Sequence, residues 1–452
     1  MNAPDPVLLR QLARLYGVQT GYAGMGGEHV EANPDSVLAV LEALGANTDD
    51  IASSINLRRR ELWHRRLQPV LVAWEGDLPA IYARVPAGDL SQRFEMRLTL
   101  ETGDVIERRL SNLPATSRTT IDGVAYARAA MPGFRPLPLG YHRLELSFAG
   151  VSLRSLVIAA PRRTYAAPDR RTWGPFLPLY ALHSRRSWGV GDLTDLDAFI
   201  DWAASRGAGF VGTLPLLASF LEEPFEPSPY APVSRLFWNE LFIDPARPIA
   251  PSQPEIADHS VEMPAEAAAL NDEALVPYRK AMALKRRVLE AQLASLLPDE
   301  RDAMQRYVDQ HPRLRDYARF RAAGEAYGPN WRQWPGPARD GDLDNIALPE
   351  DAEAYHTYAQ WRIATQMAET ARQAREKGVA LYLDLPVGVQ ADGYDAWRYQ
   401  DLFVDGMSVG APPDVVTTSG QDWGFQPLAP EALRRSSYAY FIAYLRHHFE
   451  TA

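Results

Sequence analysis

Residues 379–384 read Val379-Ala380-Leu381-Tyr382-Leu383-Asp384, an apolar run closed by one carboxylate. That is the signature of a buried parallel strand, and α/β folds place their chemistry at the C-terminal ends of such strands. A helix over 354–377, with Trp361, Ala364, Ala368 and Ala371 on one face, leads into it and stops at Gly378. Upstream, Phe210 to Leu217 is a second apolar run. The helix before it carries Leu196, Phe199, Ile200 and Ala203 on one face, starts with a capping-box-like Thr194 and Asp197, and ends at Gly207. Phe176 to Leu182 reads as a strand before that helix. Strands alternating with helices define a parallel α/β architecture, open or barrelled.

Between about 222 and 351 the alternation is interrupted by a Pro-rich loop and then helices. One of these, 279–297, carries Arg279, Lys280, Lys285, Arg286 and Arg287, a charge run that reads as a solvated face rather than a polyanion site. A last helix is expected over 431–449. In the N-terminal part, Val7, Leu8, Leu9, Leu12 and Leu15 recur at helical spacing up to Gly17, and Asn33-Pro34-Asp35 opens a second helix ending at Gly45. From about 62 the period changes to two. Val70–Trp74, Arg93–Leu100, Arg143–Phe148 and Leu156–Ala159 are short strands separated by Gly and Asp turns, the pattern of a β-sandwich. The stretch 161–172, rich in arginine and with two prolines, reads as a linker.

The 452 residues are 46% hydrophobic and 23% charged, enough apolar content for sizeable cores, and carry a net charge of −10. An acidic chain argues against a general nucleic-acid binder. With no cysteine, disulfides, iron–sulfur clusters, thiol nucleophiles and Cys-based zinc sites are excluded, and a reducing, cytoplasmic setting is expected. The first ten residues lack the basic-then-apolar pattern of a signal peptide, and no apolar stretch is long enough to span a bilayer, so no membrane partner is expected.

Several motifs fail on context. Gly406-Met407-Ser408-Val409-Gly410 matches a nucleophile elbow, but that elbow must run straight into a helix, and Pro412-Pro413 forbid one. Gly189-Val190-Gly191 lacks the third glycine of a dinucleotide fingerprint, Thr194 standing in its place. His447 and His448 are adjacent rather than spaced for a shared ligand, so no metal is expected. What remains lies at the strand ends. Asp384 either caps backbone amides or binds a ligand directly. Tyr230, in the loop after the second strand, either packs locally or presents its ring and hydroxyl. The long loop 410–424 holds Asp414, Thr417, Thr418, Gln421, Asp422 and Trp423. Polar groups around a flat aromatic suit a polyhydroxylated ligand, a sugar.

At these residues the sequence resembles the 4-alpha-glucanotransferase (amylomaltase, disproportionating enzyme) family. The resemblance is carried by Ser187–Leu193, Ser228–Pro232, Leu314–Ala318 with Trp331–Pro335, Leu381–Val389, and Ser408–Asp414 continuing to Gly420–Gly424. It covers the chain from about Trp173 onward, and the N-terminal helices and β-sandwich are similar to the extension of longer bacterial members. The resemblance implies a (β/α)₈ barrel that cuts an α-1,4-glucan and passes the released segment to another sugar, by a retaining mechanism with two carboxyl groups about 5–5.5 Å apart. It implies that Tyr230 and Asp384 sit in the sugar cleft and that Asp414, Gln421 and Trp423 lie on or beside a covering loop. No cofactor is implied.

The family's Arg-Ile-Asp-His-type nucleophile motif and its later carboxylates have no counterpart before Ala452. The expected architecture is therefore a helical module over 1–60, a β-sandwich over 61–161, a linker over 162–172, and an incomplete TIM-type barrel over 173–452 with a helical insertion about 250–350. The chain is expected to bind α-glucan oligosaccharides such as maltodextrins and, alone, to be truncated and inactive. Three readings stay open: a fragment, half of a split enzyme completed by a second chain, or a non-catalytic glucan-binding protein.

Overall fold

The first helix, α1 (Pro6–Tyr16), begins where the Asp5 carboxylate accepts the Val7 amide at 2.8 Å and stops where Gly17 turns left-handed at φ 76°. In the computed structural model the described residues are 5–24, 26–166, 171–222, 225–249 and 264–451. They fall into two units: one of 1–169, 404–422 and 428–441, the other of 170–403, 423–427 and 442–452. Residues 167–170 of the expected linker and 250–263 of the expected insertion lie outside the described residues.

In the first unit α1 packs with α2 (Pro34–Ala43) and α3 (Ile51–His64) around Leu9, Leu12, Val37, Leu41 and Ile55. Asn33 caps α2 by accepting the Asp35 amide at 2.9 Å. A small hairpin, β1 (Gly21–Ala23) and β2 (His29–Glu31), lies between α1 and α2. Sequence periodicity does not announce α3, because its buried face is only Ser54, Ile55 and Arg58.

The sandwich that follows holds eight strands: β3 (Val70–Trp74), β4 (Leu78–Pro86), β5 (Arg93–Thr99), β6 (Val105–Ser111), β7 (Ala115–Ile121), β8 (Val124–Phe134), β9 (Gly140–Phe148) and β10 (Val151–Ala160). One sheet runs β3-β10-β9-β5-β6 and the other β4-β8-β7. Period-two patterning explains the core: Phe94, Met96 and Leu98 of β5 turn inward, as do Ile81, Ala83 and Val85 of β4. Phe94 pairs in register with Phe148, and their rings stack at 4.8 Å between centroids. Burying each such ring contributes about 2–3 kcal/mol.

In the second unit, α4 (Leu193–Ser205) leads to β11 (Phe210–Thr213). The cap of α4 is Asp192, in a reciprocal box with Asp195, not the expected Thr194 and Asp197; a carboxylate that accepts the amides of Thr194 and Asp195 fixes the helix start. The helices α5 (Ala265–Asn271), α6 (Tyr278–Ala294), α7 (Pro298–Gln310), α8 (Pro312–Tyr327), α9 (Gly336–Arg339) and α10 (Glu350–Glu376) come next, followed by β12 (Ala380–Leu383), which pairs parallel with β11, Val211 opposite Leu381 and Thr213 opposite Leu383. The run 176–182 is not a strand. Phe176 makes one parallel bridge to Gly212, and Pro178, without an N–H, passes the chain into a 3₁₀ turn at Leu179–Ala181.

Two glutamines make α10 a strut. Gln360 exchanges hydrogen bonds with the backbone of Trp238 at 3.1 and 2.7 Å, and Gln366 does the same with Asp244 at 3.0 and 2.9 Å. Lys285 departs from the solvated-face expectation: it is fully buried and donates to the carbonyls of Leu241 and Ile243 at 2.6 and 2.8 Å.

The chain then forms α11 (Tyr394–Arg398), a two-residue ladder of β13 (Gly410–Ala411) with β14 (Gln421–Asp422), and the helices α12 (Pro430–Arg435) and α13 (Ala439–Phe449). The single helix expected over 431–449 is broken because Ser437 and Tyr438 both adopt left-handed angles, φ 55° and 57°.

Candidate functional site

β11 and β12 end in register, and the residues beyond them carry the candidate site. The Asp384 amide extends the ladder by donating to the Thr213 carbonyl at 3.2 Å, which fixes the carboxylate just past the strand end. Tyr230 reaches it from the loop after β11: its hydroxyl donates to Asp384 Oδ2 at 2.6 Å. That hydrogen bond, reinforced by partial burial and the neighbouring charge, pushes the phenol up to about 12. Locally, Ser228 Oγ accepts the Tyr230 amide at 3.3 Å, and Glu226 Oε1 accepts the Ser228 amide at 3.0 Å. Tyr230 keeps 43% of its surface exposed. The pair is thus a fixed acceptor with its phenolic partner, open to solvent on one side.

Supporting residues hold the two loops together, and two of them, Arg235 and Asp395, lie outside the stretches that carry the family resemblance. Arg235 donates to the Val387 carbonyl at 2.9 Å and lies 4.1 Å over the Tyr444 ring. Asp395 accepts from Ser234 Oγ at 2.6 Å and the Arg235 amide at 2.8 Å. The Gln390 amide donates to the Pro232 carbonyl at 2.9 Å, and Trp331 Nε1 donates to the Ala391 carbonyl at 3.0 Å. Gly388 is required by space: a Cβ there would meet Phe425 Cβ and Cγ at 2.5 Å. These are backbone-directed contacts from isolated side chains, which leave no periodic trace in a sequence.

Asp414 and Gln421 belong to the first unit. Asp414 Oδ1 accepts the Val416 amide at 2.8 Å and also the Thr417 amide, and these bonds, Thr417 first, hold its carboxyl below the ordinary value. The carboxylate therefore shapes its own turn. Gln421 pairs with Ala411 in the β13–β14 ladder, and its Nε2 lies 3.4 Å from Thr417 Oγ1. Trp423 belongs to the second unit and is 41% exposed. Within the second unit the structure brings Tyr230 and Asp384 together; within the first, Asp414 and Gln421 organise the loop 411–421. Ser408 Oγ donates to the Asp422 carboxylate, and no helix follows it before Pro430.

A buried charge cluster braces the start of α4. Arg186 bridges Asp192, Asp195 at 2.9 Å and Asp244 at 3.0 Å. Ser184 and Ser187 donate to Asp195 at 2.6 and 2.9 Å, and Thr194 donates to Asp244 at 2.6 Å. Lys285 nearby adds a second cation, its own value lowered by burial. Among the described residues no group of three or more His, Cys, Asp or Glu could hold a metal ion. No helix among them is long and apolar enough to cross a membrane.

A carboxylate just past a parallel ladder, with an open aromatic partner, lies where α/β proteins place their ligand sites. Comparison with known proteins narrows this. Residues 177–452 match the family described as 4-alpha-glucanotransferase, and residues 66–161 match the MalQ N-terminal beta sandwich domain. A 4-alpha-glucanotransferase of Mycobacterium tuberculosis is 32% identical over 466 residues, covering 97% of this chain and 63% of the relative. One from Haemophilus influenzae is 27% identical over 411 residues, covering 82% and 55%. The crystal structure of amylomaltase from Corynebacterium glutamicum superposes with a TM-score of 0.84 at 28% identity, covering 98% of this chain and 64% of that one. The chain belongs to the 4-alpha-glucanotransferase family. It spans somewhat less than two thirds of the length of these relatives.

Proposed function

We propose that this protein binds α-1,4-glucans at Tyr230 and Asp384 and serves the retaining transglycosylation of its family. The observation that carries this reading is the 2.6 Å hydrogen bond between Tyr230 and Asp384 at the end of β12, inside the segment that matches the family. A fixed carboxylate accepts sugar hydroxyls, and an exposed tyrosine ring offers a face for a pyranose. Retaining chemistry needs two carboxyl groups about 5–5.5 Å apart, and the side chain that meets the Asp384 carboxylate is a phenol. Asp384 is accordingly assigned to binding. A binding role for Asp414, Gln421 and Trp423 rests on the family resemblance, and each is tested by its own alanine variant.

The parallel β11–β12 pair with its Phe176 bridge supports a barrel of the (β/α)₈ kind, of which these are the strands at hand. A cytoplasmic site of action is supported by the absence of cysteine. Nothing in the comparisons points to a complementing second chain.

The test is incubation of the 452-residue chain with maltotriose, following glucose and longer maltodextrins by chromatography, alongside calorimetric titration with maltoheptaose. Binding that is lost in Asp384→Asn supports the assignment; unchanged binding overturns it. Redistribution of maltotriose into glucose and longer chains supports transglycosylation by the chain itself. Ser408→Ala is expected to leave either readout unchanged.

A further inference from the structure

The sandwich carries a cavity of its own, about 340 Å³, between the end of α3 and the outer face of the β4-β8-β7 sheet. Four arginines line it, Arg65, Arg66, Arg84 and Arg128, with Trp63 and Tyr82; no aspartate or glutamate is among its lining residues. In a chain of net charge −10 that concentration of one sign is unexpected.

The register sharpens the point. Arg84 of β4 lies directly opposite Arg128 of β8, and Arg128 lies opposite Ser117 of β7, so two guanidinium groups face each other across one antiparallel pair. Like charges directly opposite destabilise a sheet. Two of the four arginines have structural partners: Arg65 pairs with Glu431, and Arg84 Nη1 donates to the Leu62 and Arg65 carbonyls, capping the end of α3. Burial, with Arg65 and Arg128 close by, pulls the Arg84 guanidinium below its ordinary value, the response of a cation among cations. Arg66 and Arg128 have no carboxylate partner among the described residues. Arg128 lies 3.9 Å over the Tyr82 ring and Arg84 5.2 Å over Trp63, so the aromatic rings orient the guanidinium planes.

We propose that this cavity is a binding site for a phosphorylated monosaccharide, with Arg66 and Arg128 gripping the phosphoryl group. Planar guanidinium groups match phosphate oxygens two at a time, and Gln68 and Ser117, which also line the cavity, supply neutral donors and acceptors for sugar hydroxyls. The volume is of the size that takes a small ligand. The site shares no residue with the Tyr230–Asp384 pair.

The test is calorimetric titration of the full chain at low ionic strength with glucose 6-phosphate, inorganic phosphate and maltose, repeated on the double variant Arg66→Gln/Arg128→Gln. The expected result is that glucose 6-phosphate binds, inorganic phosphate binds more weakly, maltose does not displace either, and the double variant weakens binding at least about tenfold. Absence of binding, or an affinity unchanged in the double variant, overturns the proposal. Displacement by maltose overturns the anionic part, and equal affinity for inorganic phosphate overturns the sugar part. Should the double variant lose its cooperative thermal transition, Arg128→Gln alone carries the test, since removing one of two opposed charges relieves the sheet.

Discussion

Tyr230 and Asp384 lie 154 positions apart in the chain, yet the phenolic hydroxyl of one donates to Oδ2 of the other at 2.6 Å. The bond closes a loop after β11 onto the residue that follows β12, so the carboxylate is positioned from two elements at once. Substituting Asp384 by asparagine keeps the shape and removes the charge. Maltoheptaose binding should weaken about 10- to 100-fold, as for loss of a charge-assisted hydrogen bond. Tyr230→Phe removes the charge-assisted hydrogen bond that positions the carboxylate and should weaken binding about tenfold. Calorimetric titration of both variants measures this.

Lys285 is expected to be the most sensitive cation of the second unit. Replacing it with methionine leaves the Leu241 and Ile243 carbonyls without their donor and removes a cation from the Asp192, Asp195 and Asp244 cluster. Breaking a buried ionic arrangement from one side costs about 3–5 kcal/mol. Urea unfolding of Lys285→Met at neutral pH gives the number.

Acid should act through His447. Burial, with His448 and His311 adding repulsion, lowers its value from 6.5 to about 3, and its Nε2 has no hydrogen-bond partner among the described residues. A depressed value means that the neutral ring's contribution is fully present above pH 6.5 and is lost as pH falls toward 3. By pH 4 that loss amounts to about 3 kcal/mol relative to pH 7. Leucine has no proton to take up. The stability difference between His447→Leu and the parent should therefore shift by that amount in the variant's favour between pH 7 and pH 4, as read from urea unfolding at each.

Gly388 should refuse a methyl group. The Cβ of alanine would lie 2.5 Å from Phe425 Cβ and Cγ, so one of the two segments must move. Overpacking of this kind costs about 1–3 kcal/mol. The shift in the unfolding midpoint of Gly388→Ala checks it, with Gly336→Ala as a control because a Cβ at 336 meets nothing within 4 Å.

Much of the architecture is written in local patterns. The strict alternation Phe94, Met96, Leu98 announces an inward face of the sandwich, and Gly17 and Gly378 stop their helices with left-handed angles of 76° and 70°. Asp384 is legible because a carboxylate that closes an apolar run marks a strand end, although β12 is not the buried strand its composition suggests: only Leu381 is buried, and Tyr382 is 60% exposed. Elsewhere a non-local partner decides. The run 176–182 has strand composition, but Pro178 lacks a ladder donor and Phe176 finds a single bridging partner. The break at Ser437 and Tyr438 has no glycine to mark it, and the Ser437 hydroxyl donates to the Pro69 carbonyl at 3.2 Å, 368 positions away. Lys285 looks like its solvated neighbours because a helix wheel does not show which carbonyls wait beneath it. Arg235 gives no signal, since its target is a backbone oxygen rather than a side chain.

The locks on residues 384–393 also bear on how these two loops tolerate changes of length. Val387 O, Gln390 N and Ala391 O are each committed to a distant group, and Gly393 is pressed against the Val233 carbonyl, where a Cβ would come within 2.5 Å. One added residue would put every one of those contacts out of step. The turn at 414–417 is held by neighbours in the chain, Asp414, Gly420 and Gln421, with Val415 and Val416 77% and 88% exposed at the tip. A fluorophore, an affinity tag or an extra few residues can be grafted at 415–416 without touching a single long-range bond, and the same graft at 387–391 would dismantle the wall on which Asp384 stands.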